Sequence, residues 1–278
     1  MSRRSQLRRL RRVGARAVLT LTLGTAVVGL TGCREGTVRL TFRPEVGAVY
    51  RYQVEVRTTT EVSIDGATPE RREEDVVLSA EHTVLRSGDD GVQVRVLLQE
   101  PGTPDRVFEV MFDRAAQLEE VQSIEGVPDE RLGALGIAEI FPAAAGAPPD
   151  RPLAPGAIWD IDDAIQLPQT GPDTRLRGSG RLVELDDVGG KKVARLASAA
   201  RLPLESELTS PNGSLRLKGE QSTDYAATHD LDDGSVRDAT SSTVGRFDLE
   251  LAPPGGQGDQ PVEGSLVVEV DSHTRLLS

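Results

Sequence analysis

The stretch Tyr50–Arg57, with the sequence YRYQVEVR, alternates apolar and polar side chains with a period of two residues. Successive side chains of a β-strand point to opposite faces of its sheet, so this period predicts a strand with one buried face and one wet face. The same alternation returns in Val92–Leu98, in Phe247–Leu251 and in Leu266–Val270. The chain is therefore predicted to be mainly β.

Residue pairs that tolerate positive φ lie between the alternating runs, and they mark tight turns. The turns are predicted at Asp65-Gly66, Asp89-Asp90-Gly91, Gly189-Gly190, Asn212-Gly213 and Asp233-Gly234. Strands joined by tight turns form an antiparallel meander, and the spacing leaves no room for strand–helix–strand units. We expect a curved antiparallel sheet or half-barrel.

Other short runs complete the predicted strand set, and one charged run is interpreted as a solvated loop. Val38–Phe42 is predicted as a short strand, and Glu70–Asp75 as the loop. In the second half of the chain we predict six strands, at Arg175–Leu185, Lys192–Arg201, Pro203–Thr209, Leu215–Thr228, Ser235–Thr243 and Arg246–Leu251.

The middle of the chain departs from the strand pattern. Pro128, followed by two acids, is typical of a helix start, and a short helix is predicted over Asp129–Phe141. The segment Ala143–Pro155 is rich in Ala, Gly and Pro, which predicts a linker. These features divide the chain into residues 1–32, a first β half at 33–142, a linker at 143–155 and a second β half at 156–278.

A partial repeat connects the two halves. Gly47–Tyr52 reads GAVYRY and Gly156–Ile161 reads GAIWDI. Each places Gly-Ala before a β-branched residue, an aromatic residue, a polar residue and another apolar residue. We interpret the repeat as a turn followed by a strand whose aromatic residue enters the core, and as a hypothesis of internal duplication.

The first 32 residues have the organisation of a signal peptide. Ser2–Arg16 carries seven arginines and no acid, and the apolar run Ala17–Leu30 has 14 residues. A membrane-spanning helix needs about 20 apolar residues, so the run is too short to span. Ser2–Arg8 is similar to a twin-arginine export motif with Gln6 at the position that prefers Phe, and general secretion stays open as the alternative route.

The residues that end this leader are Leu30-Thr31-Gly32-Cys33, and Cys33 is the one cysteine of the chain. They resemble the lipobox of bacterial lipoproteins. The resemblance implies that the Cys33 thiol receives a diacylglyceryl group and that cleavage before Cys33 leaves it as the new amino terminus. An ordinary secretory signal with a chance cysteine is the disfavoured alternative. Two or more acyl chains hold a protein firmly at a membrane.

Charge and composition exclude several classes of function. Without residues 1–32 the formal charge falls from −12 to −19, which disfavours binding to nucleic acids. The chain has 5 Phe, 3 Tyr and 1 Trp, too few for aromatic stacking platforms. Its single cysteine excludes an internal disulfide.

A search for chemistry in the sequence selects no catalytic residue. The three histidines, His82, His229 and His273, are far apart and are interpreted as solvated strand residues. Asp230–Gly234 lacks the spacing of a calcium loop and is interpreted as a hairpin. Gly178-Ser179-Gly180 lacks the pattern of a nucleophile elbow.

Several pairs of acids lie near predicted strand ends, and nothing in their spacing selects them over the other carboxylates of the chain. These acids are Asp160, Asp162, Asp163, Glu184, Asp186 and Asp187. We therefore predict no enzyme, no metal and no cofactor.

Three features together resemble a family of actinobacterial lipoproteins of unknown function. They are the lipobox, the Gly-x-x-Tyr-x-Tyr strand start at Gly47–Tyr52, and a mid-chain helix at Leu132–Pro142 ahead of Pro155-Gly156-x-x-Trp159. In layout the chain is also distantly similar to the mycobacterial lipid-carrier lipoproteins. That likeness implies an antiparallel sheet curled round a helix, with acyl chains held between them.

These inferences lead to one expected function and one alternative. We expect an extracytoplasmic lipoprotein of the cell envelope that is anchored to the membrane through Cys33 and binds a lipid or another hydrophobic ligand. The alternative is a protein–protein interaction or assembly module that binds an envelope protein through a sheet edge or through the loop Pro253–Gly264, without a small-molecule ligand.

Overall fold

One antiparallel sheet contains all the strands of the computed structural model, which describes residues 36–112, 118–125, 148–164, 175–210, 213–252 and 261–277. The strands are β1 (Val49–Ile64), β2 (Glu70–Gly88), β3 (Gly91–Gln99), β4 (Arg106–Phe112), β5 (Leu118–Glu125), β6 (Ile158–Ala164), β7 (Arg175–Val188), β8 (Lys191–Ser210), β9 (Gly213–Asp230), β10 (Val236–Ala252) and β11 (Val262–Leu277). The mainly β, antiparallel class predicted from the alternation is confirmed.

The strand order is β5-β4-β3-β2-β1-β11-β10-β9-β8-β7-β6. Two meanders, β1–β5 and β6–β11, therefore lie side by side, and the pairing of the first strand with the last joins them. The sheet does not close within the described residues, because β5 and β6 form its two edges. The described residues include no helix, and the predicted helix at Asp129–Phe141 lies outside them.

Tight turns form at the predicted pairs that the structure describes completely, whereas Asn212 of the predicted Asn212-Gly213 turn lies outside the described residues. Asp65 and Gly66 both have positive φ, of 52° and 68°, and Gly189 and Gly190 have φ of 63° and 80°. Two successive residues in this region are characteristic of a type I′ turn, whose twist matches that of the flanking strands. Local sequence therefore sets the connections between neighbouring strands.

Three predictions of strand bounds differ from the structure. Lys192–Arg201 and Pro203–Thr209 belong to one long strand, β8, and Ser235–Thr243 and Arg246–Leu251 belong to one long strand, β10. The charged run Glu70–Asp75, predicted as a loop, is the start of β2. A charged run suits that position, because this part of β2 pairs with β1 alone in the described residues, and charges protect exposed edges.

The two segments of the partial repeat have the same backbone geometry. Gly47 and Gly156 have φ of 84° and 82°. The Gly47 amide donates to Val84 at 2.9 Å, and the Gly156 amide donates to Leu182 at 2.7 Å. Reciprocal bonds run back from Val84 to Ala48 (2.9 Å) and from Leu182 to Ala157 (3.0 Å). The shared geometry supports the hypothesis of internal duplication, which stays a prediction.

The segment before β1 crosses the sheet end instead of forming the predicted strand Val38–Phe42. Val38 makes an isolated bridge with Leu153, at 2.7 and 2.8 Å. Four residues later, the Phe42 ring packs edge-on against Phe112 of β4, with centroids 5.9 Å apart. The Arg43 amide donates to Asp233 at 2.7 Å. This short segment thus contacts both meanders.

Candidate ligand-binding face

One face of the sheet carries all the buried apolar side chains of its central strands, and we call it the inner face. It is defined by the positions in register with Tyr52, Val54 and Val56 of β1. Two apolar clusters lie on it. The larger gathers residues of β1–β4 and β9–β11, and the smaller gathers Leu40, Leu153 and residues of β6–β8, including Trp159.

The inner face has a packed half and an open half. In the packed half all eleven strands pair, and Val54, Val84 and Val110 are almost completely buried. The pairing of β3 with β2 ends at Ser79, and the pairing of β7 with β8 ends at Arg201. The open half is therefore built from six strands in the described residues, namely 57–64 of β1, 70–77 of β2, 200–210 of β8, 213–224 of β9, 242–252 of β10 and 262–271 of β11.

Most apolar side chains in the open half are only partly buried, whereas Leu202, Leu249 and Val270 are buried. Phe247 pairs across the ladders with Leu266, which pairs in turn with Val62, and all three are half-buried. Leu204 and Leu217 are half-buried too, and Ile64 is 40% exposed. Single exposed apolar residues are ordinary, but a contiguous apolar surface marks a contact site. The open half is the part of the sheet that presents such a surface.

Two glycines shape this surface around Phe247. A Cβ on Gly245 would lie 2.6 Å from the Phe247 ring, and a Cβ on Gly219 would lie 2.7 Å from it. The ring therefore fills the space above both glycines, on its own strand and on β9. A glycine inside a strand marks such a close approach. The sequence shows the glycines, but only the β9–β10 register brings Gly219 opposite Phe247.

A belt of hydroxyl groups separates the open apolar surface from the packed half. Thr223 and Thr243 are hydrogen-bonded at 3.0 Å across β9 and β10. Ser241 and Ser272 are hydrogen-bonded at 2.8 Å across β10 and β11. On β1 the same belt continues with Thr58 and Thr60, which are half-buried. Burying hydroxyl groups that are hydrogen-bonded to each other costs little free energy, and the belt places polar but uncharged groups on the inner face.

Charged side chains lie mainly on the opposite, outer face and form ion pairs there. Examples are Arg51–Glu81 and Arg57–Asp75, both 2.8 Å, and Arg95–Glu109 at 2.7 Å. Exposed pairs of this kind contribute little to stability, about 0–1 kcal/mol each. In the open half, no described inner-face side chain of β1 or β8–β11 carries a charge, whereas the inner positions of β2 there are Glu70, Arg72 and Glu74.

Tyr50, which is half-buried, and His82, which is buried, place polar groups in the packed half. The Tyr50 hydroxyl donates to Asp233 at 2.7 Å, and burial together with this bond raises the Tyr50 pKa. The ring of Tyr52 lies 4.9 Å from that of His82. Burial lowers the His82 pKa to about 4, and its Nε2 atom has no hydrogen-bond partner in the described structure. His82 is thus held neutral.

The histidines do not form a site, and two of them differ from the prediction. His82 and His229 are buried rather than solvated, because their strand positions face inward. The His229 Nδ1 atom lies 3.2 Å from the Gly234 carbonyl oxygen, and burial lowers the His229 pKa. His273 lies on the outer face, 2.9 Å from Asp238. No cluster of three potential metal ligands occurs among the described residues.

Several of the acids singled out in the sequence pair with neighbouring cations. Asp230 is buried and pairs with Arg237 at 3.1 Å, and Asp230–Gly234 forms the β9–β10 hairpin turn as predicted. Arg195 binds both Glu184 (2.6 Å) and Asp186 (3.2 Å). These contacts make Asp230, Glu184 and Asp186 partners of cations.

Other candidates lie in a strand or outside the described residues. Asp162 pairs with Arg175 at 2.7 Å, which lowers the Asp162 pKa. Gly178-Ser179-Gly180 lies inside β7. The proposed lipidation residue, Cys33, and the rest of the leader lie outside the residues that the structure describes. Within those residues, no helix has the length and hydropathy that crossing a bilayer requires.

Comparison with known proteins identifies no family for this chain. No protein-family model matches the chain, and no curated protein matches it significantly. Among solved structures, the chain is similar to an outer membrane channel from Pseudomonas putida F1, with 9% identity, 85% of this chain and 97% of that chain covered, and a TM-score of 0.22. At that TM-score the likeness carries no argument about the fold or the function.

Proposed function

We propose that the protein is a lipid-anchored extracytoplasmic lipoprotein that binds a lipid or another hydrophobic envelope component on the open half of its inner face. The observation that supports this most directly is the half-buried apolar surface around Phe247, Leu266 and Val62. A folded domain ordinarily buries such a surface, and a lipid chain is a suitable partner for it.

We infer further that the sheet is curved into a half-barrel. In a flat sheet β4 and β6 would be nine strand spacings apart, about 43 Å. Yet one segment bridges to Leu153, just before β6, through Val38 and contacts Phe112 of β4 through Phe42. Four residue steps span at most about 14 Å, so the two sides of the sheet must approach each other.

Glycines at positions where neighbouring strands pair support the same curvature. A Cβ on Gly178 would clash with the backbone of Ala199, and one on Gly264 would lie 2.5 Å from the Ser63 carbonyl oxygen. Such close approach of neighbouring backbones is a device by which sheets bend. A curved sheet would shelter a ligand on its inner face, where the apolar surface lies.

Extraction of bound lipid tests the binding proposal. The full chain carrying Cys33→Ala, released from the membrane, is purified without detergent, extracted with organic solvent and analysed by mass spectrometry. We expect a lipid to co-purify, and we expect Phe247→Asp to abolish it because a charge then interrupts the apolar surface. Val77→Asp is the matched control, since Val77 is 51% exposed on the outer face. Repeated absence of lipid in every preparation would contradict the proposal.

The edges of the sheet favour a second candidate, an interaction module. In the described residues β6 is an edge strand, and Ile158 at its start is 63% exposed. Unpaired strand edges are ready sites for pairing with another chain. A photo-crosslinker at position 158 that captures one envelope protein reproducibly, from preparations that contain no lipid, would favour this candidate over lipid binding.

A further inference from the structure

We propose that the occupant of the open half is an uncharged acyl lipid whose oxygen-bearing head, an ester or hydroxyl group, lies against the hydroxyl belt. This inference rests on the proposed lipid binding and narrows its ligand class. Neutral acylglycerols and neutral glycolipids share the required chemistry, whereas anionic phospholipids do not.

On β1 and β8–β11, the described inner positions of the open half offer no charge to an anionic headgroup. At the described inner positions of β1 and β8–β11 within the open half, the side chains are apolar, hydroxyl or amide groups. On β2 these positions are Glu70, Arg72 and Glu74, and Arg72 pairs with Glu74 at 3.9 Å, so this strand adds net negative charge. Burying a phosphate without a cation or a dense set of donors is strongly unfavourable. The chemistry of the face therefore selects against a charged head.

The belt offers groups that suit a neutral head instead. Gln221 is half-buried on β9 and points its Nε2 atom toward Thr223 at 3.5 Å, a weak contact that a better acceptor would replace. Thr58 and Thr60 are half-buried at the same level of β1. Amide and hydroxyl groups can donate to an ester carbonyl and exchange hydrogen bonds with a sugar or glycerol hydroxyl.

The surroundings of the open half are strongly acidic and reinforce this selection. Its strands and the β1–β2 turn carry seven basic residues, which are Arg57, Arg71, Arg72, Arg201, Arg216, Lys218 and Arg246. They carry fifteen acids, which are Glu61, Asp65, Glu70, Glu73, Glu74, Asp75, Glu205, Glu207, Glu220, Asp224, Asp248, Glu250, Glu263, Glu269 and Asp271.

Six of these seven cations already form ion pairs with acids of the same region. An anionic lipid that approaches the open half therefore meets net repulsion, which persists wherever the charges are closer than a Debye length, about 8 Å at physiological salt.

A competition experiment tests the ligand class. The Cys33→Ala protein is loaded with a pyrene-labelled diacylglycerol, and the probe is displaced either by dioleoylglycerol or by dioleoylphosphatidylglycerol, which have the same acyl chains. We expect the neutral lipid to compete at a concentration at least about tenfold lower than the anionic one. A monogalactosyl diacylglycerol, tested in parallel, distinguishes a sugar head from a bare glycerol head.

A pair of charge variants tests whether the inner face sets this preference. Gln221→Lys places a cation on the belt, whereas Ser222→Lys adds the same charge at the next residue, which faces outward. We expect Gln221→Lys to reduce the preference for neutral lipid by about tenfold and Ser222→Lys to leave it unchanged. Circular dichroism of both variants checks that they are folded.

The outcomes separate this inference from the proposal on which it depends. Equal competition by the two lipids, or equal effects of the two lysine variants, would overturn the inference while lipid binding stands. The inference is also overturned, and lipid binding stands, if solvent extraction recovers a lipid but the neutral probe does not bind. If neither extraction nor the probe detects any lipid, lipid binding itself is wrong.

Discussion

The indole ring of Trp159 in β6 occupies the space directly above Gly180, its register partner in β7. A Cβ at residue 180 would coincide with the ring, so the pair fits only because position 180 has no side chain. Trp159 is 5% exposed and belongs to the smaller apolar cluster. Trp159 was predicted to enter the core, and it can do so because its partner residue on the neighbouring strand is a glycine.

Gly180→Ala should displace the Trp159 ring and destabilise the fold by about 1–3 kcal/mol, the usual cost of overpacking a buried site. Trp159 is the one tryptophan of the chain, so its fluorescence reports the change directly in urea unfolding. Ser179→Ala, at the adjacent exposed position, is the control and should shift stability by less than about 0.5 kcal/mol. An unchanged emission spectrum in Gly180→Ala would contradict the packing described.

Phe247 and its two glycines give a graded prediction. Gly219→Ala should cost more stability than Gly245→Ala, because a Cβ on Gly219 also meets the backbone of Arg246, which cannot move easily. A Cβ on Gly245 meets only the Phe247 ring. Adding Phe247→Leu should therefore rescue Gly245→Ala and leave Gly219→Ala impaired. Urea midpoints of the single and double variants measure this, and equal rescue of both would be inconsistent with it.

His82 predicts a pH dependence of stability. Its pKa falls from 6.5 to about 4 on folding, so the unfolded chain binds more protons between these values. Stability is then fully present above the unfolded pKa and is lost as the pH falls toward the folded one, by about 2 kcal/mol between about pH 7.5 and pH 5. His229, whose pKa is also lowered, adds in the same direction.

Replacing the ring isolates the contribution of His82. Since the His82 Nε2 atom has no partner, His82→Phe should change stability little at neutral pH and should remove much of the acid sensitivity. Urea unfolding of both proteins at the two pH values makes the comparison. His273→Phe, on the outer face, is the control. A parent and a His82→Phe variant with the same pH dependence would show that His82 does not carry the effect.

Local sequence predicted the strands and turns well because period-two alternation and positive-φ pairs act at short range. It split β8 at Pro203 and β10 near Gly245, where local propensity argues for a break. Beyond Leu202, β8 pairs with β9 alone in the described residues, and an edge strand tolerates a proline whose missing N–H faces outward. At Gly245, the Phe247 ring fills the space that a Cβ would occupy.

The candidate ligand-binding face is harder to predict from the sequence than the fold class. Strand alternation predicts which side chains share a face, but not that Gly219 lies opposite Phe247 or that β3 and β7 stop short of the open half. Those facts depend on register and strand length across the whole sheet. The same reason explains His82 and His229, whose burial depends on what packs over them rather than on their neighbours in the chain.

The proposed lipid anchor makes a prediction that does not depend on the inner face. Cys33→Ala should release the protein from the membrane fraction and abolish incorporation of labelled fatty acid, because no other cysteine can accept the diacylglyceryl group. Fractionation followed by immunoblotting measures release. Ser87→Ala, far from the leader in sequence, is the control. Membrane retention with unchanged labelling would show that the lipobox interpretation is wrong.

The segment before β1 should couple the two apolar clusters. Leu40 packs in the smaller cluster, and Phe42, two residues later, packs in the larger one. Phe42→Ala should cost about 3–5 kcal/mol, the usual range for removing a buried ring, and should also weaken this coupling. In the parent protein we expect Trp159 fluorescence and far-ultraviolet circular dichroism to report one common urea transition.

In Phe42→Ala the two signals should separate, because Trp159 lies in the smaller cluster while most of the sheet packs on the larger one. Val46→Ala is the matched control within the same segment, since Val46 is 63% exposed and lies outside both clusters. Coincident transitions in Phe42→Ala, at a lower urea midpoint, would mean that the strand ladders alone couple the clusters. Separation in Phe42→Ala but not in Val46→Ala would assign the coupling to the crossing segment.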